Sequence, residues 1–158
     1  MTTSLPTPQR LQIAIAAAGS AGLLLGALAF QYLGGLAPCQ LCIWQRWPHL
    51  AAVLIGVVAV TFGARGLAVL GGLAALTSAG IGVFHVGVEQ GWWAGLQSCT
   101  AGSISGISAS DLLNPAVDVA QVVRCDAIAW SLMGISMAGW NVIASVILAA
   151  IWFTAARR

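Results

Sequence analysis

The stretch from Leu11 to Gln45 reads LQIAIAAAGSAGLLLGALAFQYLGGLAPCQLCIWQ, and none of its 35 residues is charged. A bilayer core is crossed by roughly 20 apolar residues in a helix, because a helix satisfies its own backbone hydrogen bonds there. The stretch can hold one span and the start of another, and it is followed by Arg46. It therefore predicts a membrane-spanning fold, with Cys39 and Cys42 at the edge of a span.

The composition of the whole chain agrees with a membrane protein. The 158 residues are 59% hydrophobic and only 6% charged, whereas soluble domains carry about a quarter charged residues. The formal charge of +2 is too small and too scattered for a nucleic-acid-binding surface. We therefore expect an integral membrane protein with no nucleic-acid partner.

Charged residues divide the chain into long apolar intervals, four of which can each hold a span. We predict spans near 11–32, 43–62, 67–86 and 138–156. The first apolar run is longer than the roughly 7 to 15 residues of a signal-peptide core, so we interpret it as an uncleaved span. The predicted fold is an all-α bundle of four transmembrane helices, with residues 1–158 forming a single domain. Its close helix contacts are expected at small residues, namely Gly19, Gly22, Gly26, Gly71, Gly72 and Gly80.

The arginines predict the orientation of this bundle. Basic residues flank one side of the spans, at Arg10, at Arg65 and at the C-terminal pair Arg157 and Arg158. The positive-inside rule makes that side cytoplasmic. Both termini are then cytoplasmic, while a short segment near 33–42 and a long segment near 88–136 lie outside and carry all four cysteines.

Two further features of the outer side are predicted from composition. Ala101 to Ser110 is rich in Ser and Gly, which is typical of a flexible stretch, and the residues after Pro115 fit either a short helix on the membrane or a plain loop. Tryptophans are expected to anchor the helices at the two lipid interfaces. Six lie near the outer boundary and Trp152 lies near the inner one; the six are Trp44, Trp47, Trp92, Trp93, Trp130 and Trp140.

The four cysteines form two pairs, Cys39 with Cys42 in the short outer segment, and Cys99 with Cys125 in the long one. A disulfide across two intervening residues restrains almost no chain, so thiol exchange explains the first pair better than stapling does. For the second pair alone, a loop staple and a redox role are both open. A zinc site is disfavoured, because the 25 residues between Cys99 and Cys125 are unlike the tight second half of a zinc motif. We expect no metal.

Arg46 and His85 are the remaining candidate site residues. Arg46 lies one helical turn beyond Cys42 and should share its face. Its permanent charge could stabilise a thiolate at Cys42 or an anionic form of a bound electron acceptor; the alternative is an arginine that only reaches the interface. His85, near the outer end of span three, could approach that acceptor or move protons, or it could be a packing histidine. His49 is less favoured as a ligand. Two acidic residues are interpreted as solvated rim charges, Glu89 and Asp126.

The run Cys39-Gln40-Leu41-Cys42-Ile43-Trp44-Gln45-Arg46, followed by a second cysteine pair, resembles the bacterial disulfide-bond formation protein B family, DsbB. The resemblance covers nearly the whole chain and includes the segment from His85 to Cys99. It implies a thiol:quinone oxidoreductase of the bacterial inner membrane that reoxidises a periplasmic thiol oxidase of the DsbA type. The electrons would pass to the membrane quinone pool, as ubiquinone or menaquinone.

The resemblance also implies a role for each site residue. Cys99 would be attacked by the thiolate of the partner protein, and Cys125 would be its intramolecular disulfide partner. Cys39 would exchange with Cys125, which leaves Cys42 as the thiolate that donates to the quinone. Arg46 would hold the quinone together with Cys42, and His85 is the third candidate for that contact.

Two alternatives remain open at the level of sequence. The vitamin K epoxide reductase class also couples cysteine pairs to a quinone in a four-helix bundle, but its active CxxC lies in a late span, whereas here the CxxC opens span two. The other alternative is a membrane scaffold whose cysteines only stabilise outer loops. It leaves the placement of Arg46 beside Cys42 without an explanation.

Overall fold

The computed structural model describes residues 6–96 and 123–157. Within these residues four long helices occur, each long and apolar enough to cross a membrane, so the predicted four-span bundle is confirmed. The predicted flexible stretch 101–110 and the candidate short helix after Pro115 lie outside the described residues. The helices are α1 (Thr7–Tyr32), α2 (Gln40–Phe62), α3 (Leu67–Glu89) and α4 (Met137–Arg157).

Helix α2 begins three residues before the expected start of span two, and its cap explains the difference. Cys39 has an extended backbone, with φ −74° and ψ 169°, and its Sγ accepts a hydrogen bond from the backbone N–H of Cys42 at 3.3 Å. This side chain satisfies one of the N–H groups that a helix start leaves unpaired. Cys42 therefore lies in the first turn of the helix. At the other end, Gly63 adopts φ 68° as a left-handed C-cap.

The four helices pack as a ring in which each helix contacts its sequence neighbours and α1 closes against α4, while α1 and α3 are diagonal. Trp152 of α4 is fully buried in this bundle. A Cβ atom on Gly71 would lie only 2.7 Å from the Trp152 ring, and one on Gly72 would lie 2.8 Å from Phe153. The glycines of α3 thus form the groove that holds the aromatic rings. The interpretation of Trp152 as an interfacial anchor is wrong, because this groove draws the ring into the core.

The glycines of α1 fall into two groups. A Cβ on Gly19 would lie 2.5 Å from Leu148 of α4, so this position is a close contact between helices. Gly22 and Gly26 have no such neighbour within 4 Å among residues 6–96 and 123–157, and both border a cavity instead. Gly80 of α3 also has open space around it but does not line that cavity.

A short hairpin precedes α4. Strand β1 (Ser131–Leu132) pairs antiparallel with β2 (Ile135–Ser136). The two turn residues between them have positive φ, 53° at Met133 and 79° at Gly134, which is typical of a tight hairpin turn. Just before β1, the ring of Trp130 packs against Phe30 with 5.1 Å between centroids. The hairpin therefore lies beside the C-terminal end of α1 and the N-terminal end of α4.

Candidate functional site

The two thiols of the CxxC pair lie together at the N-terminus of α2. Both are free, and their sulfur atoms are 3.0 Å apart. Cys39 is only 4% exposed, whereas Cys42 is half-buried. The pair therefore has the proximity that formation of an intramolecular disulfide requires.

Cys39 belongs to a buried cluster that also contains Cys125. The other core members are Leu41 and Val88. Cys125 is completely buried and disulfide-bonded, while Cys99 lies outside the described residues. The ring of His85 is in contact with both cysteines, since it hydrogen-bonds the backbone of Cys125 and its Nε2 lies 3.6 Å from the Cys39 Sγ. The fold thus brings together two cysteines that are far apart in the sequence.

The surroundings of Cys39 favour its thiolate. The side-chain hydrogen bond with Cys42, assisted by the hydrogen bond with His85 and opposed by burial, lowers the pKa of Cys39 from 9.0 to about 4. The backbone N–H of Cys42 adds to this effect. In the free dithiol the negative charge therefore resides on the Cys39 sulfur.

Cys42 packs against the Cys39 cluster and also lies on the wall of an apolar cavity, which Cys39 does not line. The cavity has a volume of about 390 Å³. Its wall is mostly hydrophobic and comes from α1, α2, α4 and the hairpin, including Gly22, Gly26, Phe30, Trp130 and Trp140. Its polar wall residues, besides Cys42, are Gln45, Arg46, His49 and Asn141. This combination, a large apolar surface with a few polar groups, is typical of a site for a small organic molecule.

Arg46 is held across the cavity by α1. Its Nη1 donates to the side-chain oxygen of Gln31 at 2.6 Å, and its Nη2 donates to the backbone carbonyl of Ala27 at 3.4 Å. The Nε atom of Arg46 is buried and has no hydrogen-bond partner among the described residues. Arg46 thus contacts another helix, in contrast to an arginine that only extends to the interface, and among the described residues its Nε–H is an unpaired donor.

His85 lies against the Cys39 cluster, and the described cavity wall does not include it. Gln45 Nε2 lies 3.0 Å from its Nδ1, and Glu89 Oε1 lies 3.8 Å from its Nε2. Glu89 is only 5% exposed at its side chain and accepts a hydrogen bond from Ser136. The interpretation of Glu89 as a solvated rim charge is therefore wrong, because strand β2, which carries Ser136, covers the end of α3. Asp126, in contrast, is partly exposed and paired with Arg124.

A buried polar network continues from Gln45 into the bundle, and sequence reasoning missed it. Asn141 Nδ2 donates to the Gln45 Oε1 at 2.7 Å and to the Ser78 Oγ at 3.1 Å. His49 Nε2 lies 3.0 Å from Asn141 Oδ1 and 3.2 Å from Ser145 Oγ. Polar side chains inside membrane spans are costly unless paired and commonly serve a function. The sequence signal for this network is the presence of polar residues inside the apolar intervals, which this rule would have marked as candidates.

Three potential metal ligands also meet at the dithiol. Ligand atoms of Cys39, Cys42 and His85 all lie within 4.8 Å of one another. Thiolates with a histidine are donors that zinc prefers. The same proximity is expected when a histidine stabilises a thiolate. The geometry is therefore compatible with either a zinc site or a thiolate-stabilising histidine.

Free thiols at the end of a membrane helix, beside a bonded cysteine, are the parts that a protein needs to exchange disulfides at a membrane. Fold and site together thus define a multi-pass membrane protein of the thiol-disulfide redox class. The chain belongs to the DsbB family: the family model "Disulfide bond formation protein DsbB" matches residues 9–155. It is therefore an oxidoreductase of disulfide bond formation, and the family assignment favours this class over the vitamin K epoxide reductases.

Curated relatives agree with the family assignment. Disulfide bond formation protein B of Verminephrobacter eiseniae is 34% identical over 150 residues, which cover 90% of this chain and 82% of the relative. The protein of the same name from Methylococcus capsulatus is 32% identical over 149 residues, covering 87% and 90%. That of Azoarcus is 29% identical and covers 98% of both chains. No solved structure matches the chain.

Proposed function

We propose that this protein reoxidises a DsbA-type thiol oxidase and passes the two electrons to a membrane quinone. The observation that carries this proposal is that the two sulfurs of one dithiol have different surroundings. Cys39 is buried in a cluster with Cys125, and Cys42 lies on the wall of the apolar cavity. A dithiol placed in this way can exchange with a cysteine on one side and meet a lipid-soluble acceptor on the other.

The first part of the route is thiol-disulfide exchange. The partner's thiolate attacks Cys99 in a disulfide with Cys125, and the released Cys125 sulfur then attacks Cys39 of the Cys39–Cys42 disulfide, which releases Cys42. The partner's second thiolate attacks the partner sulfur of the mixed disulfide, which forms the partner's disulfide and releases Cys99. Each step forms one S–S bond and breaks one, so the two electrons move without other reactants. The contact of Cys39 with the Cys125 cluster supports this order, as does the disulfide-bonded state of Cys125.

The second part depends on which sulfur is the leaving group. When Cys39 is bonded to Cys125, Cys42 is released as a thiolate on the cavity wall. When neither is bonded, the charge lies on Cys39, because Cys42 and His85 both hydrogen-bond its sulfur. Formation of the Cys39–Cys125 bond thus moves the negative charge from the sulfur of Cys39 to the sulfur of Cys42 on the cavity wall.

The cavity residues fit a quinone head group. The cavity wall is largely apolar, and two of its buried polar atoms have no partner among the described residues, the Nε of Arg46 and the Nδ1 of His49. A bound quinone would supply a two-electron, two-proton acceptor for the dithiol. Cys42 and Arg46 would hold its head group, and the Arg46 charge would favour electron-rich oxygen at that place.

His85 serves the exchange side in this proposal. Its Nε2 lies beside Cys39, and its Nδ1 faces an N–H of Gln45. A ring whose Nδ1 accepts from Gln45 carries its proton on Nε2, so neutral His85 donates a hydrogen bond toward the Cys39 sulfur. We therefore assign it the stabilisation of the Cys39 thiolate. The earlier expectation of direct quinone contact for His85 stays a prediction.

The proposed location is the bacterial inner membrane, with the cysteines on the periplasmic face. The arginine pattern supports it, and exchange with a periplasmic partner requires it.

The test is an anaerobic assay of the full chain in lipid nanodiscs with a reduced DsbA-type protein. We expect oxidation of the partner to need an added short-chain quinone and to stop when the quinone is exhausted. A membrane scaffold would give no oxidation in either condition, and this result would overturn the proposal.

A further inference from the structure

In the polar network beside the cavity, the donors and acceptors can be assigned atom by atom, starting from the backbone carbonyl of Leu41. The backbone carbonyl of Leu41 can only accept, so the side-chain atom of Gln45 that lies 3.1 Å from it is the amide nitrogen. The Gln45 Oε1 is then the acceptor for Asn141 Nδ2. With its nitrogen placed, Asn141 presents its Oδ1 to the ring of His49. The orientation of both amides thus follows from a single carbonyl.

This assignment of donors and acceptors fixes the tautomer of His49. Its Nε2 faces the Asn141 Oδ1 at 3.0 Å, and an amide oxygen can only accept, so the ring proton is on Nε2. Ser145 lies 3.2 Å from the same nitrogen. The Nδ1 of the neutral ring is therefore a lone-pair acceptor.

Within the part of the chain that the structure describes, that acceptor has no donor. His49 is 2% exposed and forms part of the cavity wall, and its Nδ1 has no hydrogen-bond partner among the described residues. A buried acceptor without a donor is costly in a low-dielectric setting. Both residues that orient the ring, Asn141 and Ser145, are on α4, so the imidazole is held in place.

We propose that His49 binds the reduced form of the electron acceptor, with Nδ1 accepting a hydrogen bond from a hydroquinone hydroxyl. This inference rests on the proposed function. An oxidised quinone offers only carbonyl acceptors and matches the free Nε–H of Arg46, whereas a quinol offers the hydroxyl donor that His49 requires. Arg46 and His49 are thus complementary contacts for the two redox forms.

A preference for the quinol makes the bound quinone a stronger oxidant. If the quinol binds tenfold more tightly than the quinone, the two-electron potential of the bound couple rises by about 30 mV. The direction is favourable here, because the donor partner is itself an oxidising thiol protein. His49 would therefore be a specificity-determining residue for the acceptor.

The tautomer can be tested on the native chain, which has only two histidines. We expect the ¹⁵N spectrum of histidine-labelled protein at neutral pH to show both rings protonated at Nε2, with His85→Phe assigning the signals. A short-chain quinol should shift the His49 Nδ1 signal, and the corresponding quinone should leave it nearly unchanged. A proton on His49 Nδ1, or equal shifts with both ligands, would overturn the proposal.

Binding gives a second readout that does not depend on turnover. In a Cys39→Ser/Cys42→Ser chain, which cannot exchange electrons, quenching of the fluorescence of Trp130 and Trp140 on the cavity wall reports affinity for each redox form. We expect His49→Leu to weaken quinol binding on the order of tenfold and to change quinone binding less than about twofold. The matched control is Gln9→Leu, a buried polar residue that hydrogen-bonds the Ala155 carbonyl away from the cavity and should alter neither affinity.

The outcomes separate this inference from the proposed function. If the native chain shows quinone-dependent oxidation of its partner but His49→Leu lowers both affinities equally, or neither, the role of His49 is refuted and the proposed function stands. If the native chain binds neither redox form, both fail together.

Discussion

The Nε2 atom of His85 lies 3.6 Å from the sulfur of Cys39, and the Nδ1 of the same ring lies 3.0 Å from the Gln45 amide nitrogen. Because Gln45 also belongs to the cavity wall, one side chain contacts both halves of the site. The exchange cluster around Cys39 and the cavity beside Cys42 are therefore joined by a hydrogen-bond path through His85 of α3 and Gln45 of α2.

The hydrogen bonds to Cys39 predict an acidic thiol. With a pKa of about 4, its thiolate is present at neutral pH and is lost only as the pH falls through that value. Thiolate absorbance of the reduced protein, followed during acidification, should have its midpoint near pH 4. Cys42→Ala should raise the midpoint more than His85→Phe does, because the hydrogen bond from Cys42 lowers the pKa of Cys39 more than the one from His85. Arg124→Ala, which changes an exposed ion pair, is the control and should leave the midpoint unchanged. A native midpoint near 9 would contradict this environment.

Arg46 is predicted to act on the quinone and not on the protein substrate. Arg46→Ala should raise the apparent KM for quinone by roughly 10- to 100-fold, the range for loss of a charged hydrogen-bond donor, and leave the KM for the DsbA-type partner within about twofold. Steady-state kinetics with each substrate varied in turn measure both. Arg65→Ala, in the turn between α2 and α3, is the control. An effect confined to the protein substrate would remove Arg46 from the quinone site.

The open space at Gly26 is predicted to be needed for the acceptor. Gly26→Leu puts a side chain into the cavity and should weaken quinone binding by about tenfold or more, which corresponds to 1.4 kcal/mol. Gly80→Leu is the matched control, since its added side chain also meets open space but outside the cavity. Quinone titrations of the two variants decide the matter; equal affinities would mean that the acceptor binds elsewhere.

The contact between Gly71 and Trp152 is predicted to matter for stability. A Cβ at Gly71 would lie 2.7 Å from the ring, so Gly71→Val should destabilise the bundle by about 1–3 kcal/mol, the usual cost of overpacking. The measurement is thermal unfolding in detergent, with Gly80→Val as the comparison. If both variants melt alike, the α3 groove does not hold Trp152 as described.

The orientation of the bundle predicts which side of the membrane the exchange cysteines face. After mild reduction, a thiol reagent that cannot cross the membrane should label Cys99 in intact spheroplasts. Labelling should need no access to the cytoplasm. Modification that occurs only in inverted vesicles would reverse the proposed topology.

Sequence reasoning was sufficient where the signal is local. Uncharged runs of span length predict the four helices, and the spacing of Cys42 and Arg46 places both on the cavity wall because one helical turn separates them. The early start of α2 required knowledge of Cys39 as an N-cap, which no apolar pattern contains.

The remaining errors and omissions concern contacts between distant parts of the chain. The burial of Glu89 depends on Ser136, and the burial of Trp152 depends on the glycine groove of α3. The pairing of His49 with Asn141 crosses 92 positions. No local period encodes which polar residues of different spans will face each other, so these relationships became visible only in the folded bundle.

The most direct test of the central claim compares the native chain with Cys42→Ser during anaerobic oxidation of the reduced partner, counting quinol formed per partner disulfide formed. We predict one quinol per disulfide for the native protein. For Cys42→Ser, whose remaining Cys39 can still exchange with Cys125, we predict no quinol. Quinol formation by Cys42→Ser at the native rate would contradict the assignment of Cys42 as the sulfur that faces the acceptor.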